Sequence, residues 1–357
     1  MKKNPISIQP NIDKVLEFLP NDFELASENE KENFLELRAP RSYWQDAWRR
    51  LKKNAVAMIA LGVLLLTFLF AFVGPFFIPY TNTEQVRGSE NLNPLTYSVR
   101  EKAKIDAGEG VFPHLFGTDQ FGRDLLVRNM HATRISLIIG VTASLIVLII
   151  GTLYGSISGY AGGKVDFVMM RIVDMVYALP EILVVLLLSS ILKVPLQTLL
   201  NSSSSALIRG LSQFGSGVVS IFIVFGLLFW VGSSRIIRGQ VLSLKRQEFV
   251  TAAKALGADS SRIVRKHLLP NCIGQIIVTT MMQIPSAIFL ESFLSFLGLG
   301  VSAPVATLGS LCSDALGGMR TYPSRLIIPS IILSVIILCF NLFGDGLRDA
   351  LDPRMKR

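Results

Sequence analysis

The residue types that most often perform chemistry are few in this chain, and their spacing favours no catalytic or metal site. The three histidines and three cysteines are scattered: His114, His131, His267, Cys272, Cys312 and Cys339. None of them forms the CxxC or HExxH spacing that brings ligands together on a metal. We interpret the cysteines as small buried apolar side chains. The sequence therefore predicts a non-catalytic chain that holds no metal and no cofactor of its own.

The sequence also lacks a phosphate-binding loop. The glycine-rich run Gly159–Val165 comes nearest to one, but its spacing differs from GxxxxGK[ST] and no Ser or Thr follows Lys164. We interpret these glycines as a tight cytoplasmic turn between two membrane spans. No GxGxxG dinucleotide fingerprint and no nucleophile elbow occurs either. The sequence shows no catalytic apparatus, so we expect another subunit to supply the chemistry.

Two carboxylates, Glu181 and Glu291, occur in strongly apolar surroundings. An ionised group at the centre of a spanning helix costs about 2.5–3.5 kcal/mol, so it normally faces water or a partner. Each could line a translocation path, or be paired within the structure, or lie near an interface. For Arg171 and Asp174, three residues apart, we expect an ion pair within one helix.

The composition indicates that these residues are positioned by helices within a bilayer. Of 357 residues, 50% are apolar and 17% are charged, and the mean hydropathy is +0.49. Soluble domains average roughly 25% charged residues, and a spanning helix needs about 20 mostly apolar residues. We predict an all-α polytopic membrane protein with six transmembrane helices, over 55–78, 135–161, 167–192, 210–234, 268–290 and 326–344.

The distribution of positive charge predicts the orientation of these spans. The net charge is +9, and it is concentrated in two segments: 38–53 holds six basic residues and one acid, and 235–266 holds eight basic residues and two acids. By contrast, 81–133 holds six basic and seven acidic residues. Because basic loops stay in the cytoplasm, we expect both termini to be cytoplasmic. The positive charge is then a topology signal and does not indicate a nucleic-acid partner.

The segment before the first span has the pattern of an interfacial amphipathic helix. Trp44, Ala47, Trp48 and Leu51 recur at helical spacing among basic residues, which suits a helix against anionic lipid. The alternative is an ordinary basic stop before a span. The predicted organisation is a cytoplasmic arm (1–40), this helix (41–53), the first transmembrane helix (54–80), an external loop (81–133), a core of five transmembrane helices (134–347) with a cytoplasmic loop at 235–272, and a cytoplasmic tail (348–357).

The loop between the fourth and fifth spans carries the most informative pattern. Phe249, Ala252, Ala253 and Leu256 share one helical face, and Gly257 follows where a left-handed helix end is expected. One of Asp259, Ser260 and Ser261 can cap the next helix, and Pro270 suits the first turn of the fifth span. The pattern predicts a helix, a glycine turn and a second helix along the membrane surface. The alternative is a solvated basic loop that only sets topology.

This pattern resembles the EAA loop of permease subunits of ABC importers. Five positions match that loop in register: Ala252, Ala253, Gly257, Leu269 and Pro270. Thr251 replaces the usual acid and His267 the usual isoleucine, while Glu248 supplies an acid three residues earlier, as in the peptide-transporting branch of the family.

Three further segments resemble the same branch. They are the GTDxxGRD-like run 116–124, the end of the fifth span at 291–301 and the carboxy-terminal run 341–354. With the amphipathic segment, the resemblance covers nearly all of the chain after residue 40. It is weakest at 302–323, where the family's Pro-Pro and Trp-Gly run is not reproduced.

The resemblance implies the type I ABC importer permease fold and the C-type permease role in a dipeptide or oligopeptide importer of a bacterial plasma membrane. Its implied partners are a homologous second permease subunit, two ATP-binding subunits that carry ATP and Mg, an external solute-binding protein, the peptide and membrane lipid. The implied coupling residues are Glu248, Thr251, Ala252, Ala253, Gly257, Ala258, His267, Leu269 and Pro270.

Other functions stay open at the level of sequence. Nickel-chelate, glutathione or another small solute could be the cargo of the same kind of permease. A self-sufficient secondary transporter or channel would show more spans or repeats with ionisable relays. An intramembrane enzyme would need facing carboxylates or a histidine-rich site, and the sequence has neither.

Overall fold

The computed structural model describes residues 42–202, 215–301 and 305–351. The chain divides into two compact units, 1–46 and 47–357, and of the first unit only Ser42–Asp46 is described. The predicted arm 1–40, the start of the predicted fourth span (210–214) and most of the predicted tail lie outside the described residues. The second unit is built from helices, and only two isolated β-bridges occur in its described part.

Thirteen α-helices can be followed in the described ranges. In chain order they are α1 (Tyr43–Lys53), α2 (Ala55–Phe72), α3 (Val99–Asp106), α4 (Leu125–Ala161), α5 (Gly163–Tyr177), α6 (Glu181–Ser202), α7 (Gly215–Val224), α8 (Trp230–Leu244), α9 (Glu248–Ala255), α10 (Ser260–Ile263), α11 (Leu269–Phe296), α12 (Leu308–Ala315) and α13 (Ser324–Leu351). Short 3₁₀ turns follow α2 and α12. π-helical turns join α7 to α8 (Phe225–Phe229) and α10 to α11 (Val264–Leu268).

Six helices of the described chain are long and apolar enough to cross a membrane. They are Ala55–Phe72, Leu125–Ala161, Glu181–Ser202, Gly215–Leu244, Ser260–Phe296 and Ser324–Leu351. The predicted number of spans is confirmed. A helix is also present over the amphipathic segment, as α1; its position at a lipid interface stays a prediction.

The third span differs from its prediction over 167–192. Helix α5 ends at Tyr177, and the long apolar helix α6 begins only at Glu181, so the helix is interrupted between them. Pro180 explains the break, because proline lacks a backbone N–H and disfavours the helical conformation of the residue before it. The predicted ion pair between Arg171 and Asp174 is wrong as well.

Both of those side chains have other partners in the structure. Asp174 accepts a hydrogen bond of 2.8 Å from Arg235 of α8, and the Arg171 guanidinium lies 5.0 Å from the centre of the Phe167 ring. Asp174 therefore ties α5 to α8 instead of closing a pair within its own helix.

The predicted external loop contains a folded element that we call the connecting lobe, residues 79–124. It holds α3, whose first turn is closed by a capping box between Ser98 and Glu101. Its turns approach each other closely at Gly117 and Gly122, both at positive φ, where a Cβ atom would overlap the carbonyl oxygens of Leu92 and Val86. Helix α4 follows directly and begins ten residues before the predicted start of the second span.

A row of glycines brings α4 and α8 into backbone contact. Gly151, Gly155 and Gly159 recur every fourth residue on α4, and each faces α8. A Cβ atom on Gly151 would lie 2.7 Å from Ser233 Cβ, and one on Gly159 would lie 2.9 Å from a backbone oxygen of α8. This spacing is typical of close helix packing in membranes.

The glycine row corrects part of the turn interpretation of Gly159–Val165. Gly159 belongs to the helix and packs against α8. The turn itself is made by Gly162 and Gly163, which have φ values of +67° and +54°.

Candidate functional site

The loop between α8 and α11 folds as a helix, a glycine turn and a second helix. Helix α9 ends in a turn where the amides of Leu256, Gly257 and Ala258 reach back to helix carbonyls at 3.1, 2.9 and 3.0 Å. Gly257 has φ +80°, the left-handed conformation that glycine adopts without strain. Asp259 stands at the N-cap position of α10, but its side chain makes no capping hydrogen bond. Pro270 lies in the first turn of α11, as predicted.

Helix α9 has an inner and an outer face. Val250 and Ala253 are buried in an apolar cluster with residues of α8, α10 and α11. On the opposite side, Phe249 is 39% and Leu256 is 89% exposed, and Ala252 is exposed as well. The predicted single face is therefore divided, because Ala253 points inward.

The other predicted coupling residues lie at the chain surface or just beneath it. Glu248, Thr251, Gly257 and Pro270 are exposed, while Ala258, His267 and Leu269 are half-buried. The outer face of α9 thus combines an exposed phenylalanine, an exposed leucine and small side chains that leave the backbone accessible.

Two lysines tie the loop to the end of α4. Lys245 donates a hydrogen bond to the Tyr160 carbonyl, and its ammonium lies 5.4 Å from the centre of that ring. The Lys254 ammonium of α9 lies 5.7 Å from the same ring centre. On the other side of the loop, α10 continues through a π-helical turn into α11, so that Ser260–Phe296 forms one helical rod. Helix α9 is therefore in contact with α4, α8 and α11.

Glu291 is fully buried and satisfied within the chain. Its carboxylate accepts hydrogen bonds from Ser295 at 2.8 Å, Ser136 at 3.0 Å and Ser292 at 3.3 Å. The Leu308 amide donates to Ser136 and the Val301 amide donates to Ser295, at 3.4 and 3.1 Å. These contacts join α4, α11 and the start of α12. In the structure Glu291 has partners within the chain, which is one of the alternatives that the sequence left open. A role of Glu291 in a translocation path stays a prediction.

Glu181 has the opposite setting. It is the first residue of α6, directly after the break, and it is exposed. It borders a depression of about 310 Å³ whose walls include Tyr177, Val184 and Leu228. This carboxylate is accessible from a groove lined mainly by apolar residues.

Sequence reasoning missed a buried cluster in the connecting lobe. His114 lies between Glu101 and Asp124, at 3.0 and 2.7 Å. The three residues have no periodic spacing in the sequence. Only Asp124 could have been noticed, as a helix cap, because it lies just before a spanning helix. Nearby, Asp119 pairs with Arg123 at 2.6 Å and with Arg128 at 3.1 Å.

The described residues contain no group of three or more His, Cys, Asp or Glu side chains arranged to hold a metal ion. The three cysteines are free and buried, as predicted.

Comparison with known proteins identifies the family. Residues 151–357 match the family model described as "binding-protein-dependent transport system inner membrane component". The chain belongs to this family. Residues 42–94 of the permease also match the model "N-terminal TM domain of oligopeptide transport permease C". With its six apolar helices, the permease is a multi-pass membrane protein.

Two curated relatives are similar to the permease over almost its whole length. "Dipeptide transport system permease protein DppC" of Bacillus subtilis (strain 168) is 42% identical over 339 residues, 94% of this chain and 93% of that protein. "Oligopeptide transport system permease protein OppC" of the same organism is 39% identical over 337 residues, 94% of this chain and 98% of that protein.

Among solved structures, a chain of the inward-facing MetNI methionine ABC transporter aligns with 61% of the permease and 93% of its own length. The identity is 16% and the TM-score is 0.45.

Proposed function

We propose that the permease is one of two membrane subunits of an ATP-driven importer of peptides, and that it forms half of the translocation path. The observation that carries this proposal is the exposed face of α9, a surface helix tied to three membrane helices in a sequence without a phosphate-binding loop. The printed names of both relatives, dipeptide and oligopeptide permease proteins, support peptides as the cargo.

In this proposal the outer face of α9 docks into a cleft of an ATP-binding subunit, which carries ATP and Mg. Phe249, Ala252 and Leu256 provide the docking contacts, and Glu248 and Thr251 border them. Ala253, Ala258, His267 and Leu269 pack on the inner side or beside it and keep the helix rigid. Gly257 sets the angle between α9 and α10. Pro270 lies in the first turn of α11, the spanning helix to which a movement of α9 is transmitted. Packed elements shift between discrete arrangements, so closure of the ATPases acts on the spans as a rigid push.

The proposed orientation places both termini, the α9 loop and the ATP-binding subunits in the cytoplasm. The connecting lobe then faces outward, where an external solute-binding protein delivers peptide. The exposed indoles of Trp44 and Trp48 in α1 suit the headgroup region of a bacterial plasma membrane.

The peptide passes between this chain and its homologous sister permease. Glu181 is the carboxylate best placed for the path, because it is exposed beside an apolar groove and can pair with the amino group of a peptide. The buried carboxylate of Glu291 is reachable only if the helices around it separate during the cycle.

Deletion of the gene in its native host, made auxotrophic for one amino acid, tests the cargo. Growth on short peptides containing that amino acid should be lost, growth on the free amino acid should persist, and a plasmid copy should restore peptide growth. Loss of nickel or glutathione uptake with normal peptide growth, in a host without a redundant importer, would replace the cargo and keep the importer role. Solute counterflow by the purified chain alone in liposomes would instead indicate a self-sufficient transporter.

A further inference from the structure

Three ionisable groups meet in the interior of the connecting lobe. The His114 side chain is fully buried; its Nδ1 lies 2.7 Å from Asp124 Oδ2 and its Nε2 lies 3.0 Å from Glu101 Oε1. The Tyr80 ring stacks on the imidazole with ring centres 4.6 Å apart. Burial, assisted by nearby carboxylates, raises the pKa of Tyr80 to about 12, so the phenol stays neutral at physiological pH.

Each carboxylate belongs to the start of a helix. Glu101 completes the capping box of α3 and also accepts a hydrogen bond of 2.9 Å from Ser89. Asp124 is the N-cap of α4 and accepts a hydrogen bond of 2.9 Å from the Val127 amide. The imidazole therefore joins the beginning of the lobe helix to the beginning of a spanning helix.

The geometry fixes the number of protons on the imidazole. A neutral imidazole carries one N–H and one lone pair, whereas both nitrogens of the charged ring are donors. If both carboxyl groups are ionised, a neutral ring would turn one lone pair toward a carboxylate oxygen about 3 Å away, in a site without water access. Only the charged ring donates to both carboxylates at once.

We propose that the charged imidazole of His114 clamps the connecting lobe onto the start of α4, and that loss of its proton opens the lobe. The clamp does not depend on the proposed cargo. With the proposed orientation, it makes the outer surface of the permease responsive to external pH.

The direction of the pH response follows from the pKa shifts of the cluster. Burial alone would lower the pKa of His114, but the hydrogen bonds to Asp124 and Glu101 outweigh burial and raise it above the ordinary 6.5. The contribution of His114 is then complete below pH 6.5 and is lost as pH rises through the higher value in the folded protein. Burial alone would raise the pKa of Glu101, but hydrogen bonds from the Ser98 amide, His114 and Ser89 lower it below 4.5. The clamp is therefore strongest between pH 4.5 and pH 6.5, and it opens as pH rises through the raised pKa of His114.

Backbone hydrogen exchange of the assembled importer in nanodiscs, followed from pH 6 to pH 9, tests the clamp. After correction for the intrinsic rate of exchange, protection of lobe peptides 84–120 should fall by up to about tenfold per pH unit between pH 6.5 and the raised pKa of His114, and it should level off above that pKa. Protection in the His114→Gln variant should not change over this range.

Glu101→Gln gives the decisive comparison. The introduced carboxamide can donate to a neutral imidazole, which then donates its one N–H to Asp124, so both hydrogen bonds of the ring survive without a charge on it. Lobe protection should stay high and flat to pH 9 in this variant, a result that a purely structural role of His114 would not produce.

The chain offers a matched control in His131→Gln, which removes a histidine of α4 that is not part of the cluster. It should keep the wild-type pH response. A flat wild-type profile, or a Glu101→Gln profile that falls like the wild type, would overturn the clamp. If His114→Gln does not assemble, the Glu101→Gln comparison decides alone. A failure of the clamp proposal would leave the proposed import of peptides untouched, because peptide uptake is measured in a separate experiment.

Discussion

At the scale of single residues, the two carboxylates among the apolar helices have contrasting environments. Glu291 is enclosed by three serine hydroxyls that donate hydrogen bonds to its carboxylate, and two of these hydroxyls also accept a hydrogen bond from a backbone amide. Glu181 is exposed at the start of α6. Removing a buried acceptor leaves its donors unsatisfied, which costs much more than removing an exposed side chain. The two residues therefore predict opposite phenotypes.

Glu291→Ala should lower the free energy of unfolding of the purified permease by about 1–3 kcal/mol, because three hydroxyls lose their acceptor inside the chain. Thermal or SDS-induced unfolding measures this loss. Glu181→Ala is the matched control: its stability should stay within about 0.5 kcal/mol of the wild type, while peptide uptake should fall. Normal stability of Glu291→Ala would contradict the network, and normal uptake by Glu181→Ala would remove Glu181 from the path.

Gly257→Val should weaken association with the ATP-binding subunits and abolish uptake while membrane insertion stays normal. A β-branched residue at φ +80° costs on the order of 1–2 kcal/mol locally and favours a different turn. No neighbour lies within 4 Å of the added Cβ, so the effect comes from the backbone alone.

Gly257→Asn is the control, because asparagine tolerates the left-handed conformation. It should retain most of the co-purifying ATPase and most of the uptake. Equal loss in both variants would mean that the side chain at residue 257 matters more than the geometry of the turn.

At the scale of elements, the spanning helices and the loop turn were predictable because they depend on local composition. Six long apolar runs and the alanine-glycine-proline pattern of the loop are visible without tertiary contacts. The break at Pro180 was missed because hydropathy stays high on both sides of it. The glycine row of α4 and the His114 cluster were missed because their meaning depends on partners distant in sequence, α8 in one case and Glu101 in the other.

Gly155→Ala tests the contact between α4 and α8. The added Cβ would overlap the Ser234 carbonyl oxygen, so the helices must separate, which should cost about 1–3 kcal/mol of stability. Gly232→Ala on α8 is the control, since its Cβ meets no atom within 4 Å. That substitution should be neutral, or stabilising by up to about 1 kcal/mol through helix propensity. Unfolding measurements that give the same change for both variants would show that the row makes no close contact.

At the scale of the whole chain, the proposed orientation gives a labelling prediction. Single cysteines are placed at two exposed positions, Lys104 in α3 and Ser260 in α10, after replacement of the three native cysteines by alanine. An impermeant maleimide should label residue 104 in intact cells and residue 260 only after permeabilisation. Labelling of residue 260 from outside would reverse the topology and invalidate the proposed docking of ATP-binding subunits.

Helix α4 takes part in four of the features described above: Asp124 precedes its first turn, Ser136 donates a hydrogen bond to Glu291, its glycines contact α8, and Tyr160 lies beside two loop lysines. At 37 residues it is about 55 Å long. Even tilted by 40°, it would exceed a hydrocarbon core of about 30 Å by roughly 12 Å. It therefore protrudes from the bilayer, and in the proposed import cycle it connects movements at the two membrane faces. An antibody fragment that binds the connecting lobe from outside the cell and immobilises it would then slow ATP-driven import.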